Sequence, residues 1–196
     1  LKTPLTVIMN SATALSPDLS ETVIREATTM RRQVDHHLAR ARPVGRRGHS
    51  HSRAQVWGSL ESVERAVGRL YAHIRLDMAG DPEISARVER QDLDEMLGNL
   101  IENAAKYGGG SVFVTVEEAG DFVEIIVEDD GTGIPESNRE RLFDRGARLD
   151  TGKPGTGLGL AIVRDVVEIY GGTVALEESE DLGGLLVRLR LPNALG

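Results

Sequence analysis

Residues 112–127 read VFVTVEEAGDFVEIIV, and apolar residues recur at alternate positions on both sides of Ala119-Gly120-Asp121. This alternation predicts two half-buried strands, and the glycine between them predicts a hairpin turn. Further strands are predicted over residues 74–78, 84–88, 173–176 and 185–191, and helices over residues 56–72, 93–106 and 158–170. Because the strands come in pairs without regular β-α-β alternation, we expect an α+β fold in which helices cover one face of a mixed, mostly antiparallel sheet.

The first 45 residues carry a different pattern. Apolar residues recur at spacings of three and four through residues 1–15, and a second stripe follows through residues 21–41. These spacings predict two helices that form an antiparallel hairpin, which would bury its stripes by dimerising into a four-helix bundle. Residues 46–54 lack periodicity and are predicted to be a linker, so that residues 55–196 form a second domain.

The amino-acid composition excludes several kinds of catalytic and binding chemistry. The chain has 196 residues, no cysteine and a net charge of −8. The lack of cysteine excludes disulfide frameworks, thiol catalysis and Cys-ligated metal centres, and the acidic balance argues against general nucleic-acid binding. Residues 25–53 nevertheless carry eight arginines and two acids, whereas the rest of the chain carries 15 basic and 29 acidic residues. This asymmetry fits either a solvated helix face with a linker or a surface that attracts an acidic partner.

Polar residues share one face of the helix predicted over residues 93–106. Asn99, Asn103 and Lys106 are four and three residues apart, with apolar residues for most of their neighbours. Side chains at this spacing lie on the same side of a helix. An amide oxygen is a suitable ligand for Mg²⁺, and a lysine one turn further on neutralises phosphate charge. The alternative is ordinary polarity of a helix surface.

Two glycine-rich segments follow. Asp129-Asp130-Gly131-Thr132-Gly133 comes directly after an apolar strand, and it indicates either a tight turn or a close approach of backbone and carboxylate to a planar ligand with an amino group. Residues 155–159 read GTGLG immediately before a predicted helix. They indicate either an anion site at the helix N-terminus or a flexible hinge. They match neither a P-loop nor a dinucleotide fingerprint.

The order and spacing of these segments resemble the histidine kinases of two-component signalling over essentially the whole chain. The corresponding family motifs are the N box at residues 99–107, the first glycine box at 129–133, the F box at 141–146 and the second glycine box at 155–159. Leu1-Lys2-Thr3-Pro4-Leu5 resembles the end of the family's H box. Within the family, the first glycine box and the F box are most similar to those of the PhoQ-type magnesium and acid sensors.

The resemblance implies a Bergerat-type (GHKL) ATP-binding domain over residues 55–196, with ATP and Mg²⁺ as cofactors. Asn103 would bind Mg²⁺, Asp129 would bind the adenine amino group, and residues 144–157 would form a lid. Cofactor binding is implied for Asn99, Asn103, Lys106, Tyr107, Asp129, Gly131, Gly133, Ile134, Phe143, Gly155, Thr156, Gly157, Leu158 and Gly159. Catalytic roles are implied for Lys106, Arg148, Lys153 and Glu102, and for Thr3 in dephosphorylation of the partner.

The family's activity implies the cytoplasmic part of a bacterial inner-membrane sensor. The intact parent would form a homodimer through the hairpin, phosphorylate a histidine there and pass the group to an aspartate of a response-regulator receiver domain. That histidine is expected two positions before Leu1, so this chain is not expected to autophosphorylate. Two alternatives remain at this point: a docking and dimerisation module that needs no nucleotide, and a related GHKL ATPase or serine kinase.

Overall fold

The computed structural model describes residues 52–144, 146–147 and 157–194. The predicted hairpin over residues 1–45 and most of the predicted linker lie outside the described residues. The strands are β1 Ala54–Gln55, β2 Arg75–Gly80, β3 Ser85–Ala86, β4 Ser111–Ala119, β5 Phe122–Asp129, β6 Thr173–Glu178 and β7 Leu185–Pro192. The helices are α1 Val56–Leu70, α2 Arg90–Tyr107, α3 Glu136–Arg139 and α4 Gly159–Ile169, with a 3₁₀ turn at Glu140–Phe143.

Five strands form the main sheet, in the order β2-β4-β5-β7-β6. The β2–β4 pair is parallel and the three other pairs are antiparallel, which confirms a mixed, mostly antiparallel sheet. The predicted hairpin joins β4 to β5, and Gly120 adopts a φ of +64° at its turn. Such a φ favours glycine, which has no Cβ to clash with the backbone. The short strands β1 and β3 pair separately.

As far as Val127, alternate residues of β4 and β5 face the hydrophobic core and the residues between them are half-buried or exposed, whereas Glu128 and Asp129 at the end of β5 are both buried. The core includes Val112, Val114 and Val116 of β4, Val123, Ile125 and Val127 of β5, and Leu93, Met96, Leu97, Leu100, Ile101 and Ala104 of α2. The apolar stripe of α2 packs against these strands and against α1 and α4. The described helices therefore cover one face of the sheet, as the alternation predicts.

The other face is polar at its centre. Arg188 of β7 forms ion pairs with Glu177 at 3.0 Å and with Glu124 at 2.8 Å.

None of the helices in the described part combines the length and the apolar character that a membrane crossing requires.

The predicted bounds differ from the observed ones by one to three residues at several element ends, and the third strand is shorter than predicted. A strand is predicted over residues 84–88, but β3 ends at Ala86. The chain turns there, because the Val88 amide donates to the carbonyl oxygen of Ala86 at 3.0 Å and the Arg87 amide donates to Pro192 at 2.8 Å. Val88 is still fully buried, so the apolar pattern is explained by core packing without a ladder.

One edge of the main sheet gathers the segments that the sequence singles out. Asp129 at the end of β5 lies opposite Val112 at the start of β4. Glu128 lies opposite Leu186 at the start of β7. The C-terminus of α2 reaches the same edge through the short connection to Ser111. Three loops therefore meet at the end of β5.

Candidate functional site

Helix α2 presents two asparagines beside its apolar stripe. Asn99 is buried, and its Nδ2 donates to the carbonyl oxygen of Glu95 at 2.9 Å, one turn back. Asn103 is half-buried, and its carboxamide forms no hydrogen bond with any residue that the structure describes. The carboxamide of Asn103 is therefore not engaged by the described part of the chain and can reach a ligand.

Helix α4 begins against these two side chains. A Cβ built on Gly159 would lie 3.3 Å from Oδ1 of Asn99 and 3.4 Å from Nδ2 of Asn103. No described side chain caps the N-terminus of α4. The side-chain amides of Asn99 and Asn103 on α2 therefore lie close to the N-terminus of α4, which is the positive end of its helix dipole.

Asp129, which is 5% exposed, ends β5. Its Oδ1 accepts hydrogen bonds from the amides of Gly131 at 2.9 Å and Leu185 at 3.3 Å. Its Oδ2 accepts none from the part of the chain that the structure describes. Burial raises the pKa of Asp129 above its ordinary value of 3.8, and these two backbone hydrogen bonds partly offset the rise.

Glycines form the walls around this carboxylate. A Cβ on Gly131 would lie 2.7 Å from the carbonyl oxygen of Tyr107 and 2.9 Å from Oδ1 of Asp129. A Cβ on Gly184 would overlap the carbonyl oxygen of Asp129 and lie 2.5 Å from its Oδ1. Gly133 adopts a φ of +66° and faces Gly184. No side chain larger than hydrogen fits at Gly131 or Gly184 without moving the backbone around Asp129.

Asp130, the next residue, holds the loop between α2 and β4. Its Oδ1 accepts hydrogen bonds from the amides of Gly109, Gly110 and Ser111 at 2.8–2.9 Å. These bonds, that from Ser111 first, keep the pKa of Asp130 below its ordinary value. Asp130 thereby fixes the loop that follows Tyr107 to the same turn that carries Asp129.

Lys106 and Tyr107 end α2 close to this turn. The Lys106 ammonium lies 5.0 Å from the centroid of the Tyr107 ring, and that ring is partly exposed. Glu102 is half-buried on the same helix. The cation and the ring are thus held together at the helix end, where the carbonyl oxygen of Tyr107 also borders Gly131.

The F box is fixed by an arginine of α4. Phe143 is 3% exposed in the core, and its carbonyl oxygen accepts a hydrogen bond from Nη2 of Arg164 at 2.9 Å. The Arg164 guanidinium also lies 5.3 Å from the Phe143 ring centroid. After Phe143 in the chain, the Gly146 amide donates to the carbonyl oxygen of Gly157 at 3.1 Å.

Ile134, in the segment after β5, is half-buried, and its carbonyl oxygen accepts a hydrogen bond from Nε of Arg139.

The structure brings eight of the expected residues into two neighbouring groups. One contains Asn99, Asn103 and Gly159, with Gly157 and Leu158 leading into it. The other contains Asp129, Gly131 and Gly133, and the end of α2 connects the two. Glu102, Lys106 and Tyr107 lie on α2 and Ile134 and Phe143 lie in the segment after β5, outside these two groups. Thr3, Arg148, Lys153, Gly155 and Thr156 lie outside the described residues.

Four further residues belong to this region but have no role among those that the resemblance implies: Asp130, Arg164, Gly184 and Leu185. A local signal existed for Asp130, because Gly108-Gly109-Gly110 is a run of small residues whose amides need an acceptor. The Gly183-Gly184 pair gave a weaker signal. The pairing of Arg164 with Phe143 spans 21 residues and has no local signature.

Comparison with known proteins agrees with this geometry. Residues 88–195 match the family model described as histidine kinase-, DNA gyrase B-, and HSP90-like ATPase. The chain is 36% identical, over 98% of its length, to the sensor protein kinase CarS of Pseudomonas aeruginosa, and 36% identical, over 94%, to the sensor protein PhoQ of Escherichia coli. It spans 44% and 39% of the lengths of these relatives.

A solved structure shares the fold. The crystal structure of the ATP binding domain of PrrB from Mycobacterium tuberculosis matches 74% of this chain and 98% of that domain, with a TM-score of 0.62 and 30% identity. The similarity thus extends over nearly the whole of that ATP binding domain.

Proposed function

Because the chain belongs to the family of histidine kinase-, DNA gyrase B- and HSP90-like ATPases, we propose that residues 55–196 bind ATP together with Mg²⁺. The observation that carries this proposal is the buried carboxylate of Asp129, which has one oxygen held by backbone amides and glycines on its borders. Such a carboxylate accepts a hydrogen bond from an amino group on a flat ring, and adenine offers both.

The phosphates and the metal would occupy the other group of residues. The Asn103 carboxamide offers an oxygen ligand, and Mg²⁺ usually completes its shell with waters and phosphate oxygens. Within the described residues no cluster of three or more His, Cys, Asp or Glu side chains could hold a metal alone, which fits a metal that arrives with the nucleotide. The N-terminus of α4 and Lys106 would face phosphate charge.

For the intact parent, we propose the activity of a sensor histidine kinase. Its curated relatives CarS and PhoQ are named as sensor proteins, and this chain spans less than half of each. The ATP-binding domain would transfer the γ-phosphoryl group to a histidine of a dimeric helical hairpin, from which a receiver-domain aspartate would accept it. Lys106 and Glu102, together with Arg148 and Lys153, would neutralise charge and orient groups during this transfer, and Thr3 would assist dephosphorylation of the receiver.

The parent would be a membrane-anchored bacterial sensor with this part in the cytoplasm. The basic stretch over residues 25–53 would attract an acidic receiver domain and so accelerate its association. In that case the association rate falls as salt rises, because screening shortens the reach of the charges. A rate that is independent of salt contradicts this steering.

A titration of the purified chain tests the nucleotide proposal. A non-hydrolysable ATP analogue is titrated in Mg²⁺ and in EDTA, with wild-type protein and with Asn103→Ala. We expect wild-type affinity to rise at least tenfold with Mg²⁺, and Asn103→Ala to lose most of that gain but keep its affinity in EDTA. Saturation in neither condition contradicts nucleotide binding and favours a docking module. An equal gain with Mg²⁺ in both proteins removes the assigned role of Asn103.

A further inference from the structure

A buried polar pair joins β5 to the loop after β6. Ser179 is 1% exposed and Glu128 is 7% exposed, and the Ser179 hydroxyl donates to Oε1 of Glu128 at 2.7 Å. Glu128 immediately precedes Asp129. Burying a carboxylate is costly unless it is hydrogen-bonded, so this pair fastens the loop to the end of β5.

The loop over residues 179–184 is also tied together internally by Ser179. The Leu182 amide donates to the Ser179 hydroxyl, and the Gly183 amide donates to the Ser179 carbonyl oxygen, both at 2.9 Å. The Ser179 amide in turn donates to the carbonyl oxygen of Gly184 at 2.9 Å. The loop therefore behaves as one hydrogen-bonded unit whose position on the sheet depends on the bond to Glu128.

The other end of this unit touches Asp129. The Leu185 amide donates to Oδ1 of Asp129 at 3.3 Å, and Gly184 approaches that carboxylate so closely that no Cβ fits. A path of contacts thus runs from Glu128 through Ser179 and the loop to the carboxylate of the next residue. Adjacent residues of one strand place their side chains on opposite faces, so the loop wraps around the end of β5 to reach both.

We propose that Glu128 and Ser179 are positioning residues that fix the orientation of the Asp129 carboxylate and thereby set the preference of the site for adenine over guanine. This inference rests on the proposed nucleotide binding. Adenine presents an amino donor where guanine presents a carbonyl oxygen, and a fixed carboxylate pairs with the first and repels the second. Releasing the loop lets Gly184 move away from Oδ1 and loosens the start of β7 at Leu185, so the carboxylate is less firmly oriented and discriminates less.

The test compares the affinities of non-hydrolysable ATP and GTP analogues for the full chain in Mg²⁺. Ser179→Ala and Glu128→Ala break the pair, whereas Glu128→Gln keeps an oxygen that accepts the hydroxyl proton. Glu177→Gln is the matched control, because Glu177 lies two residues before the loop and pairs with Arg188 on the open sheet face. Circular dichroism and a thermal melt establish that each variant is folded.

We expect the ratio of the ATP to the GTP affinity to fall about fivefold to tenfold in Ser179→Ala and in Glu128→Ala, the size expected when a hydrogen bond to a charged group is loosened. The ratio should stay within about twofold of wild type in Glu128→Gln and in Glu177→Gln. If Ser179→Ala does not fold, the contrast between Glu128→Ala and Glu128→Gln decides the same point.

Two results would overturn the inference while nucleotide binding itself stands. An unchanged ratio in both disrupting variants is one, and an equal loss of both affinities is the other, because a merely structural pair lowers affinity without changing the preference. Wild-type protein that binds neither analogue would instead contradict the proposed function on which the inference rests.

Discussion

At the scale of the residue, Asp129 combines burial with a negative charge. Burial raises the pKa of Asp129 above 3.8, so its proton is held more tightly in the folded chain than in the unfolded one. As the pH rises above 3.8, the unfolded chain ionises first and the folded state loses stability. The carboxylate thus reduces stability at neutral pH, which is expected of a group kept for binding.

Asp129→Asn should therefore raise the Tm of the nucleotide-free chain at pH 7. Asparagine still offers an oxygen to the amides of Gly131 and Leu185 but carries no buried charge. The difference in Tm from wild type should shrink as the pH is lowered toward 3.8, where the wild-type carboxyl also becomes neutral. Calorimetry over this pH range checks the prediction. A variant that is less stable than wild type at pH 7 contradicts it.

Asp130 has the opposite effect on stability. Its pKa is lowered by the amides of Gly109, Gly110 and Ser111, so its contribution is present above pH 3.8 and is lost as the pH falls through the lower, folded value. Asp130→Ala should reduce the free energy of unfolding by about 1.5–3 kcal/mol at pH 7. Asp130→Asn should lose less, since it keeps an acceptor. Urea unfolding measures both, and equal losses would assign the effect to charge alone.

At the scale of the element, two helices meet through a glycine. A Cβ on Gly159, at the start of α4, would lie only 3.3–3.4 Å from the side-chain amides of Asn99 and Asn103. The 3.6-residue periodicity predicts α2 and α4 because each buries one stripe. It does not predict that the start of α4 contacts the asparagines of α2, because that contact depends on how both helices lie on the sheet. The parallel pairing of β2 with β4 and the early end of β3 depend in the same way on distant residues.

Two glycine substitutions separate site geometry from helix propensity. Gly159→Val places a branched side chain against both asparagines and should weaken binding of a Mg²⁺-loaded ATP analogue at least tenfold. Gly98 of α2 has no heavy atom within 4 Å of a built Cβ. Gly98→Ala should therefore stabilise the chain by about 0.5–1 kcal/mol and leave nucleotide affinity unchanged. Titration and urea unfolding of both variants check this pair; unaltered affinity in Gly159→Val argues against a phosphate site at α4.

At the scale of the whole molecule, the edge of the sheet unites residues that are far apart in sequence. Motif order predicts that Asn103, Asp129 and Gly159 belong to one site. The structure places Asn103 beside Gly159 and places Asp129 beside Gly131 and Gly184, and their union in one nucleotide site stays a prediction. The contribution of the β6–β7 loop was not predictable, because Gly184 lies 55 residues after Asp129 and acts by leaving space. The predicted roles of Arg148 and Lys153 concern residues outside the described ranges and stay predictions.

Binding at such an edge should stabilise the whole domain. A ligand that binds only the folded state raises stability with its concentration, by about 2.7 kcal/mol at one hundred times its Kd. The Tm should therefore rise with the concentration of a Mg²⁺-loaded ATP analogue. It should stay constant with the corresponding GTP analogue, which the site is expected to reject. A Tm that does not respond to the ATP analogue contradicts binding to the folded chain.

Binding of adenine by Asp129 is tested by the Kd of a Mg²⁺-loaded ATP analogue for wild-type protein, Asp129→Asn and Asp77→Asn. Asp77 lies on β2, where it pairs with Arg75 at 2.7 Å, and it serves as the matched loss of one carboxylate. We expect saturable binding to wild type and to Asp77→Asn with the same Kd, and an affinity at least tenfold weaker for Asp129→Asn. Equal Kd values for all three proteins, or no binding to wild type, would contradict it.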